Sequence, residues 1–116
     1  MADPNQQEFL LWLIKNKYNA LADADKGLLD ALSNPANDKV VIETRLDADN
    51  AERQLLLARY QAIAAGGNFV FPTADEIQKL RAAIADLETA VAQSAAVTGL
   101  IQAASNVASL VKSTNM

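Results

Sequence analysis

The sequence predicts an all-α fold: an antiparallel up-down bundle of three long helices plus a shorter fourth helix at the C-terminus. Three observations predict it. Apolar residues recur at three- and four-residue steps along three long stretches. Gly (4) and Pro (3) are scarce, and Pro35, Gly66, Gly67 and Pro72 fall between those stretches, where breaks belong. Ala and Leu dominate while only 5% of residues are aromatic, a balance that favours helices over strands. At 116 residues the chain has room for one domain, 1–116, and its 51% hydrophobic content supports a modest aliphatic core.

The first helix starts at Asp3-Pro4, a capping side chain followed by a residue suited to the first turn. Leu11, Ile14, Tyr18, Leu21, Leu28 and Leu32 form its stripe, and Ser33-Asn34-Pro35 ends it. Gly27 lies inside and marks a place for a local bend. Phe9 to Ile14 are six consecutive apolar residues, which at about 100° per residue cover every face. Such a turn is either surrounded by the bundle or leaves Phe9, Trp12 and Leu13 as a docking patch.

The second helix begins between Pro35 and Lys39 and runs to about Ala65, where Gly66-Gly67-Asn68 supplies left-handed cap residues. Ile42, Leu46, Leu56, Tyr60 and Ile63 share one face. Asp49 and Arg53 interrupt that face at i,i+4 spacing, and a pair at the bundle edge is expected. Phe69-Val70-Phe71 then occupies an extended connection and is expected to fold back over one end of the core, the alternative being a protruding docking loop.

Thr73-Ala74-Asp75-Glu76 matches the capping box, and Ile77, Leu80, Ile84, Leu87 and Val91 follow as the third helix's stripe. From Thr89 to Val111 the chain runs for twenty-three residues without a charge. Extending the third stripe through it gives Ser94, Thr98, Gln102, Ser105 and Ser109, all polar. Val97, Leu100, Ile101, Ala104, Val107, Ala108 and Val111 form a second stripe on the opposite side. A break near Val97 to Gly99 lets both stripes face one core, so a separate fourth helix is expected.

Chemistry is sparse. The chain has no His and no Cys, which removes the usual general base, soft metal ligands and thiol nucleophile. Asp47-Ala-Asp49-Asn50-Ala-Glu52 departs from a calcium loop, and Asp23-Ala-Asp25-Lys26 has a lysine among its acids. Both read as solvated helix faces. No catalytic, cofactor-binding or metal-ligating residue is assigned, no cofactor is expected, and an enzyme is not expected.

A net charge of −4 without a Lys/Arg cluster argues against nucleic acid as a partner and against polybasic membrane docking. The opening MADPNQQEF has no basic n-region, so no signal peptide is expected. The compartment, cytoplasmic or secreted, stays open. The functional expectation is a small interaction or structural module with a protein partner or a second copy of itself. Its surface would be apolar: Phe9, Trp12, Leu13, Phe69, Phe71, Val97, Leu100, Ile101, Ala104, Val107 and Val111. Small residues at Ala95, Gly99 and Ala103 would permit close helix approach. The alternative is a secreted or membrane-active helical protein using the uncharged segment. Eight Gln, Asn, Ser or Thr side chains within that segment weigh against it.

Overall fold

The computed structural model describes residues 4–93 and 96–110. They form four helices: α1 (Pro4–Leu32), α2 (Lys39–Ala64), α3 (Ala74–Ala92) and α4 (Val97–Ser109). The all-α bundle expected from the periodicity is the fold observed, and no strand occurs among the described residues. Asp3, the expected cap of α1, lies outside them.

The local signals explain most helix ends. Asp38, at extended backbone angles, accepts hydrogen bonds from the backbone N–H groups of Val40 and Val41 and so starts α2. Gly66 takes φ 97° just beyond its end, a conformation that disfavours any side chain. The capping box of α3 is complete: Thr73 Oγ1 accepts from Glu76 N, and Glu76 Oε1 accepts from Thr73 N, each at 3.1 Å. The break before α4 falls earlier than the apolar phase suggests. α3 ends at Ala92, α4 begins at Val97, and Gly99 lies exposed in the first turn of α4. The N-cap of α4 is Ala96, which has no side-chain oxygen to mark the start in the sequence.

Cross-helix contacts set the directions. Gln7 Nε2 donates to Ile63 O at 2.7 Å, which ties the start of α1 to the end of α2. The Phe9 and Phe71 rings lie 6.0 Å apart, Arg81 stands over Trp12, and Ala90 and Val91 share a pocket with Gly27 and Ala31, so α3 runs parallel to α1. Lys17 reaches the carbonyls of Ala108 and Leu110, while Gly27 faces Leu100, so α4 runs antiparallel to α1. The result is an up-down-up-down bundle, 53 × 23 × 19 Å. α1 packs on all three other helices and α4 also packs on α2 and α3, whereas α2 and α3 scarcely touch. α2 is therefore a flank helix with a wide outer surface.

Leu10, Leu13, Ile14, Leu21 and Leu28 of α1 meet Ile42, Leu56 and Ile63 of α2, Leu80, Ile84 and Leu87 of α3, and Leu100, Ala104 and Val107 of α4 in one core. Both stripes of the C-terminal half turn inward, as the break allows. Gly27 serves packing: a Cβ there would stand 3.0 Å from Leu100 Cδ2.

Candidate functional site

The surface expected from the sequence is largely used up by the fold. Leu13, Leu100, Ala104 and Val107 are core residues and present nothing to a partner. Phe9, Phe69, Phe71, Val97 and Ile101 are half-buried and pack against that core. Val111 lies outside the described residues. Of the ten described residues, Trp12 alone is substantially exposed, at 46%, and its ring meets Phe9 at 5.6 Å and the Arg81 guanidinium at 5.5 Å. The physical reason is that α1 is the central helix, packed on by all three others, and the α4 stripe with the Phe69/Phe71 loop is spent in covering it. Of the small residues expected to permit close helix approach, Gly99 is exposed, Ala103 half-buried, and Ala95 lies outside the described residues.

A different apolar surface appears on α2. Val41, Thr44, Ala48, Ala51, Leu55, Ala58 and Ala62 are all exposed, and Ala65 just beyond the helix continues the series. Their spacing alternates three and four, the a/d repeat of a helix-pairing seam. Val41 and Leu55 are each 47% exposed, large side chains among small ones. This seam lies about 130° around the helix from the core-facing stripe, taking 100° per residue. Sequence reasoning missed it because the inner stripe holds the larger residues, and an alanine seam contributes little to apolar periodicity.

The inner face of α2 holds the converse surprise, a layer of buried charge. Lys17, wholly buried, donates from Nζ to Glu52 Oε1 at 3.0 Å, Leu110 O at 2.9 Å and Ala108 O at 3.3 Å. Its ammonium thus caps the C-terminal carbonyls of α4 as well as pairing across to α2. Arg45 grips Asp49 Oδ1 through Nη2 at 2.7 Å and Nε at 2.8 Å. Arg53 Nη2 stands 2.9 Å from Asp25 Oδ2, with its guanidinium carbon 5.8 Å from the centre of the Tyr18 ring. The expected Asp49–Arg53 pair at the bundle edge is thereby replaced. Each residue takes another partner, and Asp49 is fully buried. The reading of Asp25, Asp49 and Glu52 as solvated is likewise corrected: they are 5%, 0% and 3% exposed, while Asp23 and Asp47 do face solvent.

Asp25 of α1 and Asp49 of α2 are electrostatic neighbours across the helix contact. Neither oxygen of Asp25, nor Oδ2 of Asp49, accepts a hydrogen bond from a protein donor. The Arg53–Asp25 contact is therefore an ion pair by distance without hydrogen-bond alignment. Burial first, and then the neighbouring Asp49 carboxylate, push the Asp25 carboxyl up to about 7 against the pull of Arg53 and Arg45. The desolvation wins because Arg45 and Arg53 remain partly exposed, which weakens their attraction.

A groove of about 320 Å³ between α1 and α2 is walled by Ile14, Tyr18, Leu56, Leu57 and Tyr60. No group of three or more potential metal ligands occurs among the described residues, and no helix there is long and apolar enough to cross a membrane. No protein family, curated protein or solved structure matches this chain.

Proposed function

We propose that the protein is a small non-enzymatic interaction module that pairs helix to helix through the outer seam of α2, with a second copy of itself as the partner. The observation that carries the reading is the inversion of α2. Its inner face buries Asp49 and Glu52 among Ile42, Leu56 and Ile63, while its solvent face carries an a/d series of small and apolar residues from Val41 to Ala62. A second copy fits by size. With the two helices antiparallel about a two-fold axis near Arg53, Leu55 meets Ala51, Val41 meets Ala65, Thr44 meets Ala62, and Ala48 meets Ala58. Every large residue faces a small one. On the outer flank the same register sets Gln54 against Gln54 and Asp47 against Gln61, so no like charges oppose there. A parallel pairing would instead stack Leu55 on Leu55 and Thr44 on Thr44.

The seam is narrow and about 36 Å long, which places the pair at the small end of specific interfaces, below about 1,200 Å² in total. Weak, transient pairings occupy that size class, and a dissociation constant in the micromolar range is expected. Sedimentation equilibrium of the wild type and of Leu55→Glu tests it. A reversible dimer lost in the variant supports the reading, and a wild-type monomer throughout the micromolar range refutes it.

A further inference from the structure

We propose that Asp25 and Asp49 form a proton-sharing carboxyl pair that acts as a pH-operated joint between α1 and α2. The geometry leads there without reference to the α2 seam. Two carboxyl groups from packed helices are both buried, Asp25 reaches Arg53 one turn from Asp49, and three of the four carboxyl oxygens lack a protein donor. A proton between them lets one carboxyl donate to the other. It also discharges one of two like charges held out of water. Among the described residues no other group performs that task. Arg45 is committed to Oδ1 of Asp49, and Arg53 is close but misaligned.

The groups acting on Asp25 all come from α2: Asp49, Arg53 and Arg45. On α1 itself the nearest buried charge is Lys17, two turns away and engaged with Glu52. α4 contains no ionisable side chain, and α3 turns Leu80, Ala83, Ile84 and Leu87 inward while Lys79, Arg81, Asp86 and Glu88 stay exposed. The switch therefore belongs to the α1–α2 contact alone.

Loss of the shared proton leaves two buried carboxylates facing each other, and water must enter to solvate them. The apolar positions on either side, Leu21 and Leu28 of α1 and Ile42 and Leu56 of α2, confine the opening to that layer. The helices stay helical and only their contact loosens. The pair would thus link the freedom of α2 to the pH around it.

The carbon-13 shifts of the aspartate carboxyls, followed by NMR in the wild type from acid to mildly alkaline pH, test the pairing directly. Asp25 is expected to titrate near neutrality; an Asp25 that titrates below about pH 5, as an ordinary aspartate does, would overturn the proposal. Amide hydrogen exchange then tests the joint. Residues 21–28 and 45–53 are expected to lose protection above neutrality relative to α3, and Asp25→Asn is expected to abolish that loss. Equal pH trends in wild type and variant would contradict it. So would an Asp25→Asn protein that fails to fold, because asparagine reproduces the protonated form.

Discussion

Replacing Lys17 by Met removes one buried cation from three acceptors at once. Methionine keeps the length and apolar stem of lysine, so the change isolates the ammonium. It leaves Glu52, 3% exposed, without its lysine, and frees the carbonyls of Ala108 and Leu110 at the end of α4. Breaking a buried ion pair from one side costs about 3–5 kcal/mol, because the remaining charge stays desolvated. A domain of this size has roughly 5–15 kcal/mol in all. At about 2.1 cal/mol/K of unfolding entropy per residue, a loss of about 4 kcal/mol lowers Tm by about 15 °C. Urea unfolding followed by helical circular dichroism reads the change. A second variant, Lys17→Met with Glu52→Leu, removes both charges and is expected to recover most of the loss. Lys79→Ala serves as the contrast. Its pair with Asp75 is exposed on both sides, and it should cost less than about 0.5 kcal/mol. If Lys17→Met costs no more than Lys79→Ala, the buried layer does not hold α1, α2 and α4 together as described.

Three further outcomes are expected. Asp25 binds its proton more tightly folded, at about 7, than unfolded, at 3.8. Its contribution to stability is therefore greatest below about pH 4 and falls as pH rises to about 7, by at most roughly 4 kcal/mol. Asp25→Asn should accordingly be nearly neutral at pH 4 and stabilising at pH 8, and a variant less stable than wild type at pH 8 contradicts the sign. Thr73→Ala removes one arm of the capping box and should cost about 1 kcal/mol in thermal unfolding; no loss would mean that the loop, not the cap, sets the start of α3. Gly27→Leu forces a side chain into the space of Leu100 and should cost about 1–3 kcal/mol despite its better helix propensity. A gain in Tm would show that α4 can move off α1 freely.

The bundle was legible because apolar spacing and cap chemistry agree. Thr73 with Glu76, and Gly66 after Ala65, fall where both signals point, and α1 ends at Leu32 just ahead of Pro35. The end of α3 was less so, since Ala92 and Gln93 carry no stop signal and Ala96 offers no cap oxygen. Side-chain polarity misled at the centre. Asp25, Asp49 and Glu52 look like solvent-facing residues one at a time, and only the α1–α2 register shows that Lys17, Arg45 and Arg53 meet them. The surface was misread for a related reason. A helix whose inner face carries ion pairs has its strongest exposed apolar repeat on the outside, where small alanines contribute little to any hydrophobic pattern. Leu100, Ala104 and Val107 stood out because they are apolar and regular, and those properties put them in the core.

Sedimentation equilibrium across the micromolar range tests the central claim, that the outer seam of α2 is a pairing surface, most directly. The wild type should approach the mass of two chains with rising concentration, and Leu55→Glu should remain at 12.4 kDa with unchanged helicity. A wild type that stays monomeric, or a dimer that Leu55→Glu leaves intact, would contradict it.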